Sequence, residues 1–125
     1  MARTHFEKLH IYQPSEQLSD IISDVVAGWD SFARDTVGKQ IVRAADGIGA
    51  NIAEGTGRGS FQDNRRYVKL ARGALNETKH WLRRAYKRGL LTNEQIHSLK
   101  PLVDSLAPRL NAYLKSIGNV PHESE

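Results

Sequence analysis

The chain has 125 residues, a formal net charge of +4 and no cysteine. That length allows one domain with a real core but not two, and the missing cysteines exclude disulfides and thiolate metal sites. No apolar run approaches the roughly 20 residues needed to span a bilayer, and the first residues are polar, without a signal-peptide apolar region. A cytoplasmic protein with no membrane partner is therefore expected.

No strand-like alternation and no internal repeat is visible. Four helical patterns follow one another. The first is expected over residues 14–29. Pro14 suits the opening turn, and Leu18, Ile21, Ile22, Val25 and Trp29 recur at helical spacing. The second is expected to start near Asp35 or Thr36 and to end at Glu54, with an apolar face of Val37, Ile41, Ala45, Ile48 and Ile52. Ser60 and Asp63 form a capping pair for the third, which carries Val68, Ala71, Leu75, Thr78, Leu82 and Ala85 inward to about Arg88. Gly89 then suits a left-handed cap. The fourth opens at Thr92, with Gln95 three residues on, and reaches about Ile117. Pro101 and Pro108 are expected to kink or interrupt it.

Four amphipathic helices with short connections imply an all-α fold: an antiparallel up-down four-helix bundle over residues 1–118, with a flexible tail at 119–125. A three-helix bundle with a loose end would leave the strong apolar stripe of the first helix unburied. Gly38, Gly47, Gly49 and Gly73 fall inside predicted helices. Each costs about 1 kcal/mol relative to Ala, so close approach of another backbone, within the bundle or between subunits, is expected to offset it.

The most informative stretch is residues 40–60. It reads Gln40-x-x-Arg43-Ala44-Ala45, then Ile48-x-x-Asn51-Ile52-Ala53-Glu54-Gly55-x-Gly57-Arg58, and Arg72-Gly73 and Glu77 follow on the next helix. From residue 6 to about 118 the chain resembles the four-helix-bundle proteins encoded in intervening sequences of bacterial 23S rRNA genes. Gly47 and Ala74 stand where that family commonly has Ser. The resemblance implies a closed ring of subunits, typically a pentamer, with no established enzymatic activity. It also implies a distant likeness to the accessory variability proteins of diversity-generating retroelements, pentameric bundles that bind nucleic acid and a reverse transcriptase. It makes Arg43, Asn51, Glu54, Arg58 and Glu77 the family's structural motif.

Charge is concentrated in the third helix. Between positions 58 and 88, ten Lys or Arg face only Asp63 and Glu77, whereas the rest of the chain is net acidic. Arg65, Lys69, Arg72, Asn76, Lys79, Arg83 and Lys87 step by three or four and so share one face, flanked by Arg66, His80, Arg84 and Arg88. Guanidinium groups suit phosphate because they offer a planar bidentate fork. Arg65, Lys69, Arg72, Lys79, Arg83 and Lys87 are therefore the candidate contacts to RNA or DNA. A solvated or subunit-docking face is the competing reading. The first helix carries the opposite charge, with Glu16, Asp20 and Asp24 at steps of four. In an up-down bundle these two helices are diagonal, so their outer faces can meet only between subunits, in a heterologous contact of the kind that closes rings.

Catalytic patterns are weak. The run from Gly55 to Ser60 looks like a phosphate-binding loop but follows a helix rather than a strand. Asn51, Glu54, Arg58, Asn64 and Arg65 cluster at this corner and are read as a Glu–Arg and Asn–backbone network that pins it, with Glu54 expected to matter for stability where it pairs a buried Arg. Glu77-x-x-His80 and Glu94-x-x-His97 match the di-iron bundle pattern. They are offset by roughly ten residues, or about 15 Å along the bundle, and cannot share a metal pair. The sequence thus predicts a non-enzymatic oligomer without metal or cofactor, acting as a nucleic-acid-binding or RNA-associated accessory protein. A structural or protein-interaction scaffold is the alternative.

Overall fold

The computed structural model describes residue 6 and residues 9–118. Among these residues the chain forms four helices and no strand. Helix α1 is Tyr12–Ala27. Helix α2 is built from Ser31–Ala33, a π-helical segment Arg34–Gly38, and Lys39–Thr56. Helix α3 is Phe61–Lys87 and α4 is Asn93–Ser116. The expected tail at 119–125 lies outside the described residues. No helix among them is long and apolar enough to cross a membrane.

Most boundaries follow local chemistry. The Ser60 side chain accepts from the Asp63 amide, and Thr92 and Gln95 bond reciprocally as a full capping box. At the end of α3, Gly89 has φ 71°. The Leu90 amide donates to the Ala85 carbonyl and the Gly89 amide to Tyr86, the two bonds of a Schellman motif.

Two expectations are corrected. Helix α2 begins at Ser31, not near Asp35 or Thr36, because Asp30 is the cap: its carboxylate accepts from the Ala33 amide at 2.9 Å. The π segment that follows widens the turn. This keeps Ala33, Val37 and Ile41, each four residues apart, on the buried side. Gly38 makes the segment possible, since a Cβ there would lie 2.6 Å from Val26 Cγ1. The second correction concerns α4, which runs unbroken through Pro101 and Pro108. The prolines are seven residues apart and both exposed, so the backbone carbonyls they strand face water. Leu99, Val103, Leu106 and Leu110 hold the opposite side in the core.

Helix α1 contacts α2 and α4 but not α3, and α3 contacts α2 and α4. One core joins all four, centred on Leu18, Ile22, Ile41, Ile48, Ile52, Leu75, Leu106 and Leu110. The buried hydroxyls of Ser15 and Thr78 donate to carbonyls of their own helices, Tyr12 and Ala74. Trp29 lies just past α1, and its indole N–H donates to the Leu90 carbonyl at 2.9 Å, tying the α1–α2 turn to the α3–α4 turn.

At Gly38 and Gly49 what comes close from α1 is side chains, Val26 at the first and Ser15 and Tyr12 at the second, rather than the other backbone expected; the spacing is ordinary at Gly47, and Gly73 has nothing within 4 Å in this chain. Gly55, at the end of α2, is as tightly spaced as Gly38 and Gly118. A Cβ there would meet Asn64 Oδ1 at 2.6 Å, Tyr67 Cβ at 3.0 Å and the Asn64 carbonyl at 3.3 Å. Gly55→Ala is therefore expected to lower stability by about 1–3 kcal/mol through overpacking. Gly73→Ala, in open space, is expected to raise it by about 0.5–1 kcal/mol. Paired denaturant titrations check both, and equal effects at the two sites would contradict the packing described.

Candidate nucleic-acid interface

Helix α3 is 27 residues long, and its sequence divides it cleanly. Val68, Ala71, Leu75, Thr78 and Ala85 are buried. The basic positions lie on the other side, but the structure does not treat them alike. Lys69, Lys79, Arg83 and Lys87 are exposed. None takes part in an ion pair among the described residues. Arg65 and Arg72 are engaged with α4. The Arg65 guanidinium is half-buried and donates to the Ile117 carbonyl at 2.8 Å, while Arg72 donates to Asn111 Oδ1 at 3.1 Å. These two arginines close the C-terminal half of α4 onto α3, so the open cationic surface is narrower than the periodicity predicts.

The flanking cations vary as well. Arg66 lies over the Tyr67 ring, 4.6 Å from its centroid, and 3.7 Å from Asp63. Arg84 and Lys87 fall in the last turn of α3, where positive charge complements the helix dipole. His80 packs edge-on against Trp81 with ring centroids 4.8 Å apart.

The Glu–Arg pair and the Asn–backbone bond expected at the corner both form, but the pair is exposed and the Asn51 bond stays within α2. Glu54 and Arg58 pair at 3.4 Å, but both side chains are about half exposed, at 52% and 41%. Arg58 also reaches Asp63 at 3.7 Å and lies 5.4 Å from the Tyr67 ring. Tyr67, followed by Asp63 and Glu54, raises the Arg58 pKa above its ordinary value. No buried arginine depends on Glu54. Asn51 turns back within its own helix and donates to the Gly47 carbonyl at 2.8 Å. Arg43 and Glu77 are exposed, on α2 and α3 respectively.

What pins the corner instead is Asn64, whose amide donates to the Tyr113 hydroxyl at 3.1 Å beneath Gly55. Sequence reading placed Asn64 at the corner but gave it no partner, because Tyr113 lies 49 residues away. At the same end of the molecule Arg109 donates to the His10 carbonyl at 3.1 Å. The Gly55–Ser60 run is a helix-to-helix corner whose Ser60 oxygen is already occupied by the Asp63 amide. Among the described residues no three His, Asp or Glu side chains gather as a metal site.

These features define an all-α, four-helix protein with a long basic helix exposed along one side. The chain belongs to the 23S rRNA-intervening sequence protein family, whose model matches residues 7–112. Among solved structures it is similar to a protein of unknown function from the S23 ribosomal protein family of Bacteroides thetaiotaomicron. The two share 24% identity with a TM-score of 0.74, over 85% of this chain and 99% of that one. At that identity the likeness speaks for the fold. No curated protein matches.

The corner geometry separates two substitutions. Glu54→Ala is expected to leave the thermal midpoint essentially unchanged, because exposed ion pairs contribute little. Asn64→Ala should cost about 1 kcal/mol from the lost bond to Tyr113. A large loss on Glu54→Ala, measured by thermal or chemical unfolding, would restore the original reading of the corner.

Proposed function

We propose that this protein is a non-enzymatic, ring-forming accessory protein of the cytoplasm that binds the phosphate backbone of RNA or DNA through the exposed face of α3. One observation carries the reading: Lys69, Lys79, Arg83 and Lys87 line the outer side of one long helix with no carboxylate paired to them among the described residues. Cations left open in a row suit an extended polyanion. Few large aromatic groups are interleaved with them: Trp81 is half-buried and Tyr86 is exposed, while exposed Phe61 lies at the start of the helix, before Lys69. Contact should therefore be with phosphates rather than bases, and sequence preference weak.

The assembly completes the proposal. The link from Trp29 to Leu90 at one end, and those from Arg65 to Ile117 and from Arg109 to His10 at the other, support an up-and-down antiparallel bundle. Glu16, Asp20 and Asp24 are exposed on α1, which does not touch α3. Opposite charges on diagonal helices favour heterologous contacts and a closed ring, and the family resemblance favours five subunits. A ring repeats the basic face once per subunit, so weak contacts add by multivalency. The same acidic stripe favours the second reading, a scaffold in which the basic face docks a neighbour.

Gel shift and fluorescence anisotropy with generic RNA and duplex DNA across a salt series test the binding. Affinity should fall steeply with salt. Lys69→Glu with Lys87→Glu is the informative variant, since neither lysine holds α4 in place. It should abolish binding at moderate salt with the oligomer intact. Replacing either lysine with Gln should flatten the plot of log affinity against log salt by about 0.9 if that lysine touches duplex phosphate. Loss of the oligomer in the double variant would favour the scaffold, and absence of any shift by wild-type protein at low salt would end the nucleic-acid reading.

A further inference from the structure

Where α3 and α4 approach their shared turn, they part to leave an open groove of about 630 Å³. Its floor is apolar, formed by Leu82, Leu91, Ile96, Leu99 and Val103. Lys79 and Arg83 stand on the α3 rim, and Lys100 and Asp104 on the α4 rim. The last two pair with each other at 2.9 Å, so the unbalanced charge of the rim is the two cations of α3.

The molecule also carries a side chain of the complementary kind. Phe32 is 77% exposed, more than Phe61, Leu70 or Tyr86. It is not a loosely held residue. It sits in the first turn of α2, where Asp30 caps the Ala33 amide and the Thr36 hydroxyl donates to the Phe32 carbonyl at 2.7 Å. Asp35, three residues on and also exposed, stands in the first turn of the π segment that follows. Arg34 points elsewhere, into the shallow hollow lined by Val26, Gly38 and Val42. An exposed aromatic ring beside a carboxylate thus matches an apolar groove beside two cations.

Both features belong to the same end of the molecule. Trp29, three residues before Phe32, is bonded to Leu90, and Leu91 forms part of the groove floor. A projection and a socket at the same height allow copies to stand side by side, related by rotation about an axis along the helices. That is the geometry of a closed ring, whereas a large offset in height would wind the copies into a filament.

We propose that Phe32 of one copy seats in the α3–α4 groove of a second copy, with Asp35 facing Lys79 and Arg83. The proposal rests on the ring reading above and assigns its contact. It also divides the basic face: Lys79 and Arg83 serve subunit docking in the ring, while Lys69 and Lys87, which do not line the groove, stay open to phosphate.

Light scattering of the full chain at tens of micromolar, with circular dichroism as a check on folding, tests the contact. Phe32→Ala removes the projection and Ile96→Glu spoils the socket. Each alone should run as a 14.0 kDa monomer with wild-type helicity. An equimolar mixture should form a one-to-one heterodimer and nothing larger, because only one projection and one intact socket remain. Should Ile96→Glu misfold, a charge swap replaces it: Asp35→Arg or Arg83→Glu alone weakens the oligomer, and the two combined restore it. An oligomer that survives Phe32→Ala unchanged overturns the docking proposal and leaves the ring standing. Loss of RNA binding, rather than of the oligomer, on Ile96→Glu assigns the groove to nucleic acid and overturns it as well. A monomeric wild-type protein removes the ring and this contact together.

Discussion

At the corner between α2 and α3, the backbone of Gly55 presses against Asn64 and Tyr67 so closely that no side chain fits between them. The placement of α3 follows from this contact. With Asn64 held under Gly55 and bonded onward to Tyr113 of α4, the rotation of α3 about its axis is set. Val68, Ala71 and Leu75 then enter the core, and the lysines at 69, 79 and 87 have no direction left but outward. A helix turned by one residue would rotate every side chain by about 100° and drive cations into the core, at a cost far beyond the stability of a small domain.

The electrostatics follow from the same placement. Bringing ten cations into the stretch between residues 58 and 88 is unfavourable by self-repulsion, and the fold relieves only part of it. Asp63 serves Arg58 and Arg66 together, Arg65 caps the end of α4, and Arg72 binds Asn111. These contacts use Arg58, Arg65, Arg66 and Arg72. Lys69 and the cations beyond Arg72 are left to water, and the acidic groups of α1 lie on a helix that makes no close backbone contact with α3.

Local signals were legible and non-local ones were not. Ser60, Thr92 with Gln95, and Gly89 announce helix ends because each acts on backbone groups a few residues away. The start of α2 was misplaced because Asp35 and Thr36 compete with Asp30 as caps. Nor does the sequence announce the π segment Arg34–Gly38, or that Val26 of α1 lies against Gly38. Pro101 and Pro108 suggested a break, yet both fall on the solvent side. Periodicity placed Arg65 and Arg72 on the basic face correctly as an angle, but could not show that α4 folds over them. The groove beside Lys79 and Arg83 needs residues from two helices and leaves no mark in either alone.

The central claim is that the basic face of α3 is open in the assembled protein and meets phosphate there. Lysine reactivity, followed residue by residue with an acetylating reagent and mass spectrometry, measures this directly. Lys69 and Lys87 are expected to react freely in the protein alone and to become protected when RNA is added, while exposed Lys39 on α2 stays equally reactive in both. Lys69 and Lys87 already protected before any RNA is present, or unchanged after saturating RNA, would contradict the claim.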